Sequence, residues 1–231
     1  MNKTIMIMAA VSGFSAAAFG QGTVIFGTSG TAASKVSITD SFGGTSLTLA
    51  PAADTFYYAL FASATASSVL GSTSALIGVS PPHFANYVFY DSNWTFVSYG
   101  DSTGGAGRFF ATGSLNSDES VTIPFATAGS PINLAALGWS ANIGSTYQSV
   151  EAFLAGGLFV NGLVGESAVA TIPAGNVPGT GFITPEFLFG TGPGQVGGLI
   201  LGPVIPEPTT LALGVMGGLS LLALRRRQKR G

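Results

Sequence analysis

The sequence Phe56-Tyr57-Tyr58-Ala59-Leu60-Phe61-Ala62 is a continuously apolar run. A strand with one solvent-facing side alternates polar and apolar residues, whereas an unbroken apolar run is typical of a strand buried on both faces. The run is also bounded by polar residues, Thr55 before it and Ser63 after it. We therefore predict a central strand over 56–62, covered on both sides.

Shorter segments with strand character lie on both sides of this run. Lys35–Thr39 and Ser46–Leu49 alternate polar and apolar residues, and Phe42–Thr45 is suited to a hairpin connection between them. Further short strands are predicted at Ala75–Val79, Tyr87–Tyr90, Thr95–Tyr99, Arg108–Thr112, Ser120–Ile123, Leu134–Ala141, Ala168–Ile172 and Phe187–Phe189. Many short strands with Gly and Pro turns indicate a mainly β protein, a β-sandwich or jelly-roll-like domain over residues 21–172.

One segment has helical spacing instead. Apolar residues recur at three and four positions in Thr146–Ala155, Ser145 and Gln148 fit a capping box, and Gly156-Gly157 ends the run. We predict one short helix there. The next segment, 173–203, is rich in Gly and Pro, and its end is predicted to be an extended stalk.

The charge of the central region excludes one class of partner. Residues 21–203 contain two cations, Lys35 and Arg108, against nine acids, a net charge of −7. Such a surface cannot neutralise phosphates, so nucleic acid is not expected as a partner. There is no cysteine, and only 8% of all residues are charged. A weakly charged, disulfide-free surface suits contact with polysaccharide or with other copies of the protein.

The N-terminus has the pattern of a secretory signal peptide. An apolar stretch, Ile5–Phe19, follows a single lysine, and small residues at Ala18 and Gly20 fit a cleavage site before Gln21. We predict that residues 1–20 are removed on export by the general secretory route.

The C-terminus has the pattern of a membrane anchor. Thr209–Leu224 carries no charge, and the segment 225–230 that follows is rich in arginine. A short transmembrane helix over 209–224 is predicted, with the basic tail on the cytoplasmic side. Everything before Pro206 then lies outside the inner membrane.

These C-terminal features resemble the PEP-CTERM sorting signal of bacterial surface proteins. The matching residues are Pro206, Glu207, Pro208, the apolar run and the cluster with Arg225, Arg226 and Arg227. The resemblance implies that an exosortase, a membrane transpeptidase, binds the signal and cuts near the triplet. Gln21–Val24, Gly107–Phe110 and Gly144–Tyr147 also resemble exported PEP-CTERM proteins of planctomycete and verrucomicrobial bacteria, a group with no assigned chemistry.

Few residues suggest catalysis. The sole histidine, His83, has no second histidine or cysteine at metal-ligand spacing, and Asp118-Glu119 is typical of a solvated turn. No catalytic residue, metal site or cofactor is predicted. Scattered acids at Asp54, Asp91 and Asp101 could still meet in space and hydrolyse glycosides.

Aromatic residues are densest in 84–99. Because aromatic faces pack on the C–H faces of sugars, Tyr90, Trp94 and Tyr99 are candidates for carbohydrate contact. The alternative is two core strands joined by a turn at Asp91-Ser92-Asn93, with the aromatic side chains inside.

We therefore expect a non-catalytic surface or extracellular-matrix protein, anchored transiently in the inner membrane and then sorted to the cell surface. Two alternatives remain. One is a secreted protein that binds or degrades polysaccharide, and the other is an unprocessed single-pass membrane protein.

Overall fold

The computed structural model describes residues 21–40, 46–51, 56–78, 86–102, 105–113, 115–156, 162–177 and 181–204. This part of the chain is mainly β, with one curled sheet and one α-helix. The elements are β1 (Gln21–Thr28), β2 (Ser37–Ile38), β3 (Thr48–Leu49), β4 (Phe56–Ser63), β5 (Leu76–Ile77), β6 (Thr95–Ser102), β7 (Phe109–Ala111), β8 (Val121–Thr127), β9 (Pro131–Ser140), α1 (Tyr147–Gly156), β10 (Leu163–Glu166), β11 (Ala170–Pro173), β12 (Phe187–Phe189) and β13 (Ile200–Pro203).

The strand order is β12-β1-β7-β6-β4-β9-β10-β13-β2-β3, with β8 paired to β1, β11 to β9 and β5 to β10. Two pairs are parallel, β1 with β12 and β13 with β2, and the others are antiparallel. The predicted pairing of β2 with β3 is confirmed, since Ser37 lies opposite Leu49. The connection predicted between them, 41–45, lies outside the described residues.

Strand β4 is the central strand that its apolar run predicts. It pairs with β9 over eight residues, from Phe56 opposite Ser140 to Ser63 opposite Asn133, and with β6 on its other edge. Tyr58 and Leu60 belong to one hydrophobic core, whereas Phe61 belongs to a second core. Both faces of β4 are therefore covered.

Aromatic rings fill the first core, where β1, β7 and β12 approach β4. Phe109 stacks on Tyr58 with ring centroids 4.0 Å apart and meets Phe26 and Phe189 edge-on at 5.0 and 5.7 Å. All four rings are completely buried. Aromatic pairs of this geometry add stability beyond the area that they bury.

The second core lies under α1, which buries Val150, Phe153 and Leu154. Thr146, and not the predicted Ser145, caps this helix, because its Oγ1 accepts a hydrogen bond from Ser149 N–H at 3.3 Å. The helix therefore begins one residue later than the capping-box pattern indicates.

The prediction of a strand at Tyr87–Tyr90 is wrong. Val88–Tyr90 is a turn of 3-10 helix, closed by a hydrogen bond from Tyr90 N–H to the Tyr87 carbonyl. The local cause is a side chain, because the Val88 N–H donates to Glu166 instead of to a neighbouring strand. An apolar run of four residues fits either conformation.

The described part of the segment 173–203 is not an extended stalk. Leu188, Phe189, Leu199 and Leu201 are buried, and β13 pairs with both β10 and β2. The boundary predicted at residue 172 therefore does not separate two bodies, because strands from both sides of it share one sheet. Gly and Pro mark turns between short strands here, a pattern that composition alone does not distinguish from a linker.

The predicted signal peptide (1–20) and sorting signal (204–231) lie outside the described residues, apart from Val204. Where the structure describes the chain, no helix is long and apolar enough to span a membrane.

Candidate functional site

The face of the sheet that carries α1 also carries a group of partly exposed aromatic rings. We call this group the aromatic patch; it consists of Phe89, Tyr90, Phe96, Tyr99 and Tyr147. Phe96 lies 4.5 Å from Tyr99 and 5.2 Å from Tyr147, and Phe89 lies 4.5 Å from Tyr90, measured between ring centroids. Three elements contribute, the 3-10 turn, β6 and the first residue of α1.

Polar groups lie beside these rings. The Tyr99 hydroxyl donates a hydrogen bond of 3.0 Å to Gln148 Oε1 on α1. Tyr90 is the most exposed ring, at 38%. Burial and then the charge of Glu151 raise the pKa of Tyr90, so an acid also lies near the patch. Aromatic faces can pack on the C–H faces of sugars, and neighbouring amide and carboxylate groups can hydrogen-bond to hydroxyl groups.

The structure separates the three predicted carbohydrate-contact residues. Tyr90 and Tyr99 belong to the aromatic patch. Trp94 is only 7% exposed, belongs to the second core, and donates from Nε1 to the Ser68 carbonyl at 3.1 Å. Its ring face is therefore covered by protein and cannot stack on a sugar. Tyr147 joins Tyr99 in the patch from a position 48 residues along the chain, too distant for local spacing to indicate.

A second feature lies beneath the same 3-10 turn. It is a cleft of about 160 Å³ lined by Val69, Leu70, Ser72, Ser74, Leu76, Asn86 and Glu166, and we call it the Glu166 cleft. Glu166 is the last residue of β10 and is only 2% exposed. Its Oε2 accepts a hydrogen bond of 2.7 Å from Val88 N–H.

The electrostatics of the cleft favour a protonated carboxyl. Burial raises the pKa of Glu166 to about 8, the hydrogen bond from Val88 opposes this rise, and the charge of Asp91 adds to it. Burial and the charge of Glu166 likewise raise the pKa of Tyr87, whose hydroxyl donates to the Gly78 carbonyl at 3.1 Å. Buried groups with shifted pKa values beside a cleft are candidates for function.

Asp91 holds the loop that lines the cleft. Its Oδ2 accepts from Leu70 N–H at 2.8 Å, and its Oδ1 accepts from both the backbone and side-chain nitrogens of Asn93. Burial alone would raise the pKa of Asp91, but these hydrogen bonds outweigh it and lower the pKa. Both oxygens therefore accept hydrogen bonds from the protein, and these bonds tie the backbone at Leu70 to that at Asn93.

The other acids do not assemble into a site in the described part of the chain. No group of three or more His, Cys, Asp or Glu side chains there could hold a metal ion. Asp118 accepts from Ser120 N–H and from its hydroxyl, as in the turn predicted for it. Asp54 and His83 lie outside the described residues.

Sequence reasoning missed Glu166. The residue stands in Leu163-Val164-Gly165-Glu166, where nothing indicates that a lone acid would be buried. Only its pairing partners explain the burial, because β10 is enclosed by β9, β13 and β5.

Comparisons with models of protein families, with curated proteins and with solved structures each return no match.

Proposed function

We propose that this chain is an exported, non-catalytic surface or extracellular-matrix protein, delivered as a β-sandwich domain and processed at its C-terminal sorting signal. The observation that supports this best is that the described residues between the two proposed cuts form one β fold. Strand β1, which directly follows the predicted cleavage site, pairs with β7, β8 and β12. Val204, two residues before Pro206, donates from its backbone N–H to the Gly162 carbonyl at 3.0 Å. The described residues next to each proposed cut therefore take part in the fold.

The sandwich description rests on the two cores. The curled sheet brings β1, β8 and β12 over one face of β4 and β9, so that strands face strands across the first core. Helix α1 and the 3-10 turn close the other face. This arrangement supports a sandwich or jelly roll with one helix added outside it.

Replacing Pro206-Glu207-Pro208 by three alanines is expected to leave export intact and to block release from the membrane. The prolines enforce an extended backbone, which an exosortase-type transpeptidase could accept in its active site. Mass spectrometry of the mature C-terminus, with membrane fractionation, checks the result. Glu186→Ala, which replaces an acid after a proline inside the folded body, is the matched control and should be processed normally.

Two outcomes would contradict this proposal. Normal release of the triple-alanine variant would exclude a role for the triplet. A wild-type protein that retains its whole basic tail, including Arg225 and Arg227, would favour the unprocessed single-pass membrane protein.

The aromatic patch supports a second function, contact with extracellular polysaccharide. Tyr90→Ala combined with Tyr99→Ala is expected to weaken binding to the extracellular polysaccharide of the producing cells at least tenfold, because stacking surface and the hydrogen bond to Gln148 are both lost. Co-sedimentation with that polymer measures the change. Phe125→Ala removes an equally exposed ring on β8 (41%) and is expected to have no effect. Equal loss in both variants would contradict a specific patch.

The polysaccharide-degrading alternative has weaker support. A carboxyl with a raised pKa in a cleft, such as Glu166, suits a general acid. Glycoside hydrolysis also needs a second carboxyl facing the substrate. Asp91 is the acid whose charge reaches Glu166, and both of its oxygens already accept hydrogen bonds from the protein.

A further inference from the structure

We propose that the Glu166 cleft binds a small organic ammonium ion, with the Glu166 carboxylate as its counter-ion. The inference concerns the ligand of the folded body and does not depend on how the chain is exported or sorted. It rests on the position of the carboxyl, on the charges around it, and on the size and lining of the cleft.

The position of the carboxyl leaves one oxygen for a ligand. Oε2 is held by the Val88 N–H, and no hydrogen bond to Oε1 is found among the described residues. The side chain is only 2% exposed and lines the cleft. A ligand that donates a hydrogen bond to Oε1 would give the second carboxyl oxygen a partner.

The charges near the cleft favour a cation. The cations of the described residues are Lys35 and Arg108, and neither lines the cleft. Arg108 instead lies over the ring of Phe110, with its Cζ 5.9 Å from the ring centroid. Asp91 adds a second negative charge close enough to act on Glu166. A positive ligand is therefore attracted by both acids and repelled by no neighbouring group that the structure describes.

The lining indicates an ammonium ion with a short, partly apolar body. Ser72 and Ser74 supply polar groups, whereas Val69, Leu70 and Leu76 supply apolar surface. A volume of about 160 Å³ leaves room for a small organic ion. A bare metal ion is a poorer fit, because Glu166 is the single acid among the described lining residues and a hard cation needs six or more oxygen ligands.

The proposal predicts that the affinity for the ammonium ion depends on pH. An ammonium ion binds the ionised carboxylate, so binding must displace the proton that burial keeps on Glu166. Affinity should therefore rise with pH until Glu166 is ionised in the free protein, near pH 8. The other titratable groups that interact with it are Asp91 and Tyr87. Asp91 is ionised throughout this range because its pKa is lowered, and Tyr87 stays protonated because its pKa is raised.

Calorimetric titration of the folded protein with ethanolamine tests the proposal, with ethylene glycol as the neutral probe of the same size. We expect ethanolamine to bind with an affinity that rises about tenfold from pH 6 to pH 7, with release of one proton. Ethylene glycol should bind at least tenfold more weakly than ethanolamine. Equal binding of the two probes, or no binding of ethanolamine at millimolar concentration, would refute the proposal.

Two variants locate the site. Glu166→Gln keeps an acceptor for the Val88 N–H and should bind ethanolamine at least tenfold more weakly. Ser74→Phe fills the mouth of the cleft from an exposed position, leaves Glu166 in place, and should also abolish binding. Because Ser74 is exposed, this second variant tests the cleft without changing the buried carboxyl. Unchanged ethanolamine binding by either folded variant would place any binding elsewhere and overturn the assignment.

Discussion

Glu166→Gln is expected to flatten the pH dependence of folding stability between about pH 4.5 and pH 8. The pKa of Glu166 is raised from 4.5 to about 8 in the folded protein, chiefly by burial. Between these values the unfolded chain loses the proton while the folded protein keeps it. The free energy of unfolding therefore falls as pH rises, by about 1.4 kcal/mol per pH unit from this group alone.

The direction in which folding stability changes with pH distinguishes Glu166 from an ordinary acid. A carboxyl whose pKa is lowered on folding, such as Asp91, stabilises the fold above its unfolded pKa and loses that contribution in acid. The contribution of Glu166 is complete below about pH 4.5 and is lost as pH rises through about 8. Glutamine can still accept from the Val88 N–H but carries no proton to lose. The variant should therefore match the wild type near pH 4 and exceed it by several kcal/mol at pH 9.

Urea denaturation at several pH values measures this difference. Glu151→Gln removes one acid from the partly exposed surface of α1 and controls for the change in net charge. This control should retain the fall in stability that the wild type shows. Parallel pH profiles for the wild type and Glu166→Gln would show that Glu166 is not buried as a neutral acid.

Patterns of hydrophobicity predict the strands whose own residues carry a clear pattern, wherever those strands lie in the sheet. The run at 56–62 specifies β4 because a strand buried on both faces needs apolar residues at every position. The alternation in 35–39 and 46–49 likewise predicts β2 and β3. The strands β1, β10 and β13 were not predicted, and the residues 190–203 that lead into and form β13 are rich in Gly, which favours a loop assignment. Their burial comes from partners distant in sequence.

The residues of the candidate sites are likewise set by contacts between segments that are distant in sequence. Local composition indicates aromatic residues near 84–99 but not which rings face solvent. Trp94 is buried because its indole N–H reaches the Ser68 carbonyl, and Tyr147 enters the patch because α1 packs beside β6. Glu166 becomes unusual only when β9, β13 and β5 enclose β10. These are tertiary contacts, and no spacing within one segment encodes them.

Gly165→Ala is expected to destabilise the fold by about 3 kcal/mol or more. A Cβ on Gly165 would collide with the carbonyl oxygen of Ile200 and lie 3.2 Å from the Cα of Leu201. Both atoms belong to the backbone of β13, which cannot rotate away as a side chain can. The variant must therefore shift β13 from β10, exposing Leu201 and weakening the pairing of β13 with β2. Chemical denaturation gives the loss of stability, and amide exchange at Leu201 locates it.

Two further glycines provide graded controls for this collision. A Cβ on Gly138 would lie 2.6 Å from the Cδ2 atom of Leu199, the far end of a flexible side chain, so Gly138→Ala should cost less than Gly165→Ala. A Cβ on Gly30 has no atom within 4 Å, and Gly30→Ala should change stability by no more than about 0.5 kcal/mol. The expected loss of stability on substitution by alanine, largest at Gly165, smaller at Gly138 and smallest at Gly30, follows from steric contact alone. Equal effects of all three substitutions would contradict the close packing of β13 on β10.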